Sequence, residues 1–145
     1  MIDTTNITSF VSCVTAEWIA GFFDGEGCIS TWKDKTNRYD ILVSFTQKDP
    51  IVLGLILAKF PSGRLYKHPN RDTYELKYIG RNSKELLELI CDKSIVKRSQ
   101  IIVALEFIKT MSDNNGRGRQ PLYEQLTEER QRIHNILKME KGKSA

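Results

Sequence analysis

Four stretches of the chain alternate apolar and polar side chains with the two-residue period of a β-strand, and they fall into two pairs. "CISTWKDK" (28–35) and "RYDILVSFTQK" (38–48) form the first pair; "GRLYKHP" (63–69) and "DTYELKYIG" (72–80) form the second. In 38–48, Tyr39, Ile41, Val43 and Phe45 share one face, and Asp40, Ser44, Thr46 and Lys48 share the other, with Leu42 as the exception. Strands of this kind have one side to bury and one side to show. Their simplest arrangement is a largely antiparallel four-stranded sheet with helices packed on one face, an α+β fold.

The helices that would cover the sheet are marked at their ends. Thr15 can N-cap a helix through "EWIAGFFDG", with Glu17 in its first turn. Asp49-Pro50 is a cap followed by a proline at the first helical position, and "IVLGLILAKF" continues to a stop at "PSG". A third helix begins at Asn82 or Ser83 in "NSKELLELICDK", and a fourth covers "KRSQIIVALEFIKTMS" (97–112). "DNNGRGRQP" (113–121) has the composition of a flexible loop, and "LYEQLTEERQRIHNILKMEK" (122–141) closes as a fifth helix. The 145 residues suit a single domain, 1–145, with a helical C-terminal extension at 113–145. Met111 and Met139 are expected to pack, and His134 to lie on solvated helix surface.

The longest apolar run, "IVLGLILA", has eight residues and is too short to span a bilayer. No membrane partner is expected, and the first residues lack the basic segment of a secretory signal. Cys13, Cys28 and Cys91 are odd in number and far apart, which fits neither a disulfide framework nor a zinc site. A reducing intracellular compartment fits best; the residues do not choose between an organelle (chloroplast or mitochondrion) and a microbial cytoplasm. Net charge is only +4, but residues 1–27 hold four acids and no Lys or Arg, whereas 28–84 hold eleven Lys/Arg against five acids. An acidic segment leading into a basic one suits a polyanion with a metal site beside it; an ordinary solvated surface has the same balance. The polar side of the sheet would present Ser30, Trp32, Ser44, Thr46, Lys48, Arg64, Tyr66, His68, Thr73, Glu75 and Lys77. Donors and acceptors of this kind read base edges in a major groove, although most antiparallel sheets have one face that simply meets water.

The first helix ends in "GFFDGEG". Gly21 and Gly25 are one turn apart on one stripe, so a second backbone could approach closely. Trp18, Phe22 and Phe23 flank the stripe and would anchor the helix in its own core. The motif occurs once, so its partner would be a second copy of the chain, with Gly21, Asp24 and Gly25 at the dimer interface. Each protomer would then bring one Glu26 to the two-fold axis. Two neighbouring carboxylates repel unless a cation lies between them, and oxygen ligands in an open polar site suit Mg²⁺, with Mn²⁺ able to substitute.

"WIAGFFDGEG" resembles the signature of the LAGLIDADG homing endonucleases. "SFTQKDP" (44–50) is similar to the end of that family's second strand, with Gln47 in its customary place. "IVKRSQI" (95–101) is similar to its K-x-x-Q element, at Lys97 and Gln100, and G-x-L-Y at 63–66 and Y-x-L at 74–76 fit its later strands. The resemblance covers roughly 15–110. It implies an αββαββα core, a saddle-shaped sheet on double-stranded DNA, and metal-dependent hydrolysis of both strands that leaves 3′ overhangs. Members with one motif act as homodimers on palindromic or near-palindromic sites. By the same resemblance Glu26 is the metal ligand and the Gly25 carbonyl touches the metal, while Asp24 is structural. Gln47 orders a solvent molecule near the scissile phosphate. Lys97 supports the transition state or perturbs that solvent's pKa, with Arg98 the substitute if the register shifts by one. Where some relatives have a further basic residue after the Gln-Lys pair, this chain has Asp49-Pro50-Ile51. Some relatives assist the splicing of intron RNA or bind without cutting, which is the alternative activity, and a plain protein-interaction domain is a third reading.

Overall fold

The computed structural model describes residues 13–33, 35–36, 38–112 and 120–143. Helix α1 (Ala16–Glu26) leads directly into strands β1 (Gly27–Lys33) and β2 (Tyr39–Gln47). Helix α2 (Pro50–Lys59) and strands β3 (Arg64–Lys67) and β4 (Tyr74–Ile79) repeat that order. A 3₁₀ turn (Gly80–Ser83) then precedes α3 (Lys84–Ile90), α4 (Arg98–Ser112) and α5 (Gln120–Lys143). The four strands form one sheet in the order β1-β2-β4-β3, with antiparallel pairing throughout. The expected α+β architecture is therefore present. The loop expected at 113–121 falls mostly outside the described residues.

The caps read from the sequence are made. The Thr15 hydroxyl accepts the Trp18 amide at 3.1 Å, and Asp49 Oδ1 accepts the Ile51 amide at 2.9 Å ahead of Pro50. The third helix differs from expectation. Gly80 adopts φ +61, a left-handed conformation that favours glycine, and the chain tightens into a 3₁₀ turn before α3 begins at Lys84.

One face of the sheet is covered along β1, β2 and β4. Ile29, Ile41, Val43, Phe45, Leu76 and Tyr78 are fully buried against Phe23 of α1, Leu53 and Ile56 of α2, Leu86 and Leu87 of α3, and Ile101 and Phe107 of α4. A fully buried aliphatic or aromatic side chain contributes about 1.5–3 kcal/mol, so this layer dominates the stability of the domain. The Tyr78 hydroxyl stays satisfied in the core by donating to the Phe60 carbonyl at 2.8 Å. Burial raises its pKa.

Helix α5 packs on the edge strand and on α4 through Ile133 and Leu137, both buried. His134, expected on solvated surface, is instead half-buried. It hydrogen-bonds Thr31 through Nδ1, and its ring lies 5.3 Å from that of Tyr39. The residues are 103 apart in the chain, and no local pattern foretells such a contact. Met139, expected to pack, is 65% exposed, whereas Met111 does pack against the core.

Burial lowers the pKa of His134, and Lys138 acts in the same direction against the opposing bond to Thr31. The folded state thus favours the neutral ring, so its contribution is present above the unfolded pKa of about 6.5 and is lost as pH falls below it. Urea midpoints should decline between pH 7.5 and 5.5, and His134→Gln should flatten that decline. An unchanged slope in the variant would rule the contribution out.

Candidate nucleic-acid interface and acidic helix end

The register of the sheet defines what its uncovered face presents. Cys28 pairs with Ser44, Ser44 with Lys77, and Lys77 with Arg64, giving one row across all four strands. A second row runs Thr46, Glu75, Tyr66, and a third runs Ser30, Leu42, Ile79; Trp32 pairs with Asp40 at the outer edge. Eight of the eleven residues assigned to this face from sequence therefore share it by register. Lys48, His68 and Thr73 lie just beyond strand ends, where the His68 amide donates to the Thr73 carbonyl at 2.9 Å. Cys28, Asp40, Leu42 and Ile79 belong to the same face. Asp40 and Leu42 follow from the alternation of β2, whereas Cys28 and Ile79, found by alternation from Ser30 and Lys77, do not fit a polar pattern.

The face is less uniformly open than its composition suggests. Ser44, at its centre, is 7% exposed, and the Thr73 hydroxyl is buried without a hydrogen-bond partner. Trp32, by contrast, is exposed on edge strand β1, and all four residues of β3 are exposed. Around β3 and β4 the charges form a cluster. The Glu75 carboxylate lies 3.2 Å from Lys77 Nζ and 3.6 Å from His68 Nε2, and the Lys77 ammonium sits 5.1 Å from the Tyr66 ring centroid. Together with Lys67 and Pro69 these side chains line a depression of about 200 Å³.

The end of α1 is built by its aromatics and glycines. Phe23 is fully buried and meets Phe45 edge to face at 5.3 Å. A Cβ on Gly27 would lie 2.0 Å from the Phe23 ring, so this glycine makes room for the aromatic and lets the helix run straight into β1. Gly21 and Gly25 differ. Both are exposed, and a Cβ on either would meet nothing within 4 Å. Trp18, expected in the core, is 41% exposed and stacks on Phe22 at 5.3 Å, which in turn stacks on Phe45 at 5.7 Å. The stripe expected to face a second helix is thus uncovered, with an indole beside it.

Glu26 is the last residue of α1, and its side chain is exposed. The carbonyls of a helix C-terminus carry partial negative charge, which adds to the carboxylate in attracting a cation. Among the described residues no three His, Cys, Asp or Glu side chains gather around a common point. Of the acids at this end of the helix, Glu26 has an exposed side chain, whereas Asp24 is engaged by its own chain.

The other nominated residues lie close by in the fold. Lys97 sits just before α4, with its ammonium 2.7 Å from the Asp24 carbonyl and 5.9 Å from the Phe23 ring centroid. Gln47 ends β2, two residues beyond the pairing of Phe45 with Gly27, so it occupies the same end of the sheet as the α1 terminus. Its Oε1 accepts the Lys48 amide at 2.8 Å. Arg98 points elsewhere and donates to the Asp92 carbonyl at 2.7 Å. Gln100 is buried.

Asp24, nominated for the dimer interface, uses its carboxylate within its own chain. It accepts the Ser94 hydroxyl and the amides of Ile95 (2.8 Å), Val96 (3.1 Å) and Lys97 (3.1 Å). Partial burial pushes its carboxyl pKa up, but those four hydrogen bonds together outweigh burial and hold it below the ordinary aspartate value.

The model of the LAGLIDADG endonuclease family matches residues 19–95, just over half of the chain, and the chain belongs to that family. The fold is shared with the homing endonuclease I-CvuI in complex with its target in the presence of calcium. The TM-score is 0.73 at 19% identity, over 86% of this chain and 80% of that one. The archaeal intron-encoded homing endonuclease I-Vdi141I complexed with DNA superposes with a TM-score of 0.61 at 20% identity, over 87% and 96% of the two chains. The meganuclease I-SmaMI bound to uncleavable DNA gives 0.69 at 14% identity, and there 83% of this chain covers only 43% of the other. No curated protein matches the chain in sequence.

The three glycines near the α1 terminus should separate cleanly by stability. Gly27→Ala should destabilise the fold by about 1–3 kcal/mol, the usual cost of overpacking. Gly21→Ala and Gly25→Ala should leave it unchanged or add up to about 1 kcal/mol of helix propensity. Denaturant unfolding of the three variants, at protein concentrations low enough that the chain is monomeric, measures the difference.

Proposed function

We propose that the chain is a homodimeric, site-specific double-strand DNA endonuclease of the homing type, acting on a long palindromic or near-palindromic site with Mg²⁺, or Mn²⁺ in its place. One observation supports this reading above the rest. Glu26 stands exposed at the end of a helix whose glycine stripe is uncovered, and the Lys97 ammonium is docked on that same helix end. The DNA targets bound in the structures of I-CvuI and I-Vdi141I support the choice of partner.

In this mechanism the sheet's uncovered face lies in the major groove. Arg64 and Lys77 meet phosphates or guanine edges there, and Ser30, Thr46 and Tyr66 offer donors and acceptors to bases. Two copies of α1 pack through Gly21 and Gly25, which brings both Glu26 carboxylates to the scissile phosphates. A divalent ion, when bound, would supply charge neutralisation at the phosphate and make a solvent molecule more acidic. Glu26, with the Gly25 carbonyl, would hold it. Gln47 orders the attacking solvent near the phosphorus, and Lys97 stabilises charge developing on the phosphoryl oxygens. Hydrolysis of both strands across the minor groove leaves 3′ overhangs.

Incubation with a randomised DNA library and Mg²⁺ should yield double-strand breaks at one long site. Glu26→Gln should bind that site within a few-fold of wild type yet lose cleavage by at least about 10³-fold, since it removes the acid that holds the metal. In sedimentation runs, Gly21→Ala and Gly25→Ala should dissociate the dimer at concentrations where wild type remains paired. Specific binding with no cleavage under any divalent ion would instead favour a non-cleaving relative of the same fold. Selective binding of intron RNA would favour a splicing role.

A further inference from the structure

We propose that Asp24 is the positioning residue for Lys97, fixing that lysine to the metal-bearing end of α1; the catalytic half of this proposal rests on the function just inferred. Both ends of Lys97 are tied to this single residue. Its amide donates to the Asp24 carboxylate at 3.1 Å, and its ammonium donates to the Asp24 carbonyl at 2.7 Å. The same carboxylate takes the amides of Ile95 and Val96 and the Ser94 hydroxyl, so it organises the whole turn from 94 to 97.

Apolar burial does little to hold this turn. Ile95 is 83% and Val96 66% exposed. Ser94 is the turn's one buried side chain, and its hydroxyl bonds to Asp24. Beyond Asp24, the turn is tied by the bond from the Ser94 amide to Ile90 and by the start of α4, where the Lys97 carbonyl accepts the Ile101 amide. Neither bond fixes the direction of the lysine side chain. Asp24 sits two residues before Glu26 on the same helix. The distance between the metal-binding acid and the lysine is therefore set by one short covalent segment and one hydrogen-bonded clamp. An asparagine of equal size has a single acceptor oxygen and presents an NH₂ to donors, so it cannot satisfy all four groups.

The test uses the full-length chain and two independent readouts. In Asp24→Asn, acetylation of Lys97, read by mass spectrometry against Lys84 as internal reference, should rise several-fold. With saturating target DNA the single-turnover cleavage rate should fall by about tenfold to a hundredfold, the scale of a small misplacement, while DNA affinity stays within about threefold. The double variant Asp24→Asn/Lys97→Met should be no slower than Lys97→Met alone. Unchanged labelling of Lys97 in the folded variant would overturn the proposal, as would multiplicative rate losses in the double variant. If Asp24→Asn does not fold, Ser94→Ala removes one donor and leaves the carboxylate. It should raise Lys97 labelling by a smaller factor, and no rise would also overturn the proposal. Wild-type cleavage by Lys97→Met would refute the role assigned to the lysine, whereas the labelling result would still decide whether Asp24 holds it.

Discussion

The Phe23 ring fixes where everything else in this molecule can be. It lies edge to face on Phe45, fills the space left by Gly27, and carries the Lys97 ammonium near its face. Core packing is close to crystalline, so a ring held on three sides leaves the last turn of α1 little freedom to shift against the sheet. That last turn bears Asp24, Gly25 and Glu26. The acidic helix end, the turn before α4 and the end of β2 are three separate parts of the chain: the Phe23–Phe45 contact sets the helix end against β2, and the Asp24 carboxylate ties the turn to that same helix end.

The sheet divides the work between its two faces. The centre of the inner face, on β1, β2 and β4, is a hydrophobic layer of fully buried side chains, and it supplies the stability that the polar face does not. The outer face can then carry side chains chosen for what they touch. An ion-pair cluster there places Glu75 between Lys77 and His68, so the local field is weaker than a count of basic residues suggests. Exposed pairs of this sort add little stability, and their consequence lies in the orientation they impose on Lys77 and His68.

Much of this was legible in the sequence because it is local. Two-residue alternation located all four strands, and Thr15 and Asp49-Pro50 marked helix starts that the structure makes with the expected bonds. The glycine helix and the family resemblance nominated Glu26, Gln47 and Lys97, and the fold brings the three to one end of the sheet. What escaped depends on contacts between distant residues. His134 reads as a surface histidine until α5 is laid on β1, and Trp18 reads as core although it stacks on the outside of Phe22 and is exposed. Ser44 looks open by its alternation, but neighbours on both adjacent strands close over it. The dual use of Asp24, carboxylate to the turn and carbonyl to Lys97, joins residues more than seventy positions apart.

Strand β3 has a consequence for how such a protein can diversify. All four of its residues are exposed, it lies at the margin of the sheet, and its side chains contribute little to the sealed layer beneath. Surface substitutions away from special contacts usually change stability by no more than about 0.5 kcal/mol. Arg64 and Tyr66 can therefore be exchanged over generations at small thermodynamic cost, provided some charge remains to keep the free edge from pairing with another chain. A lineage faced with a drifting target would find its cheapest adaptive steps along this margin, while the interior and the acidic helix end stayed as they are.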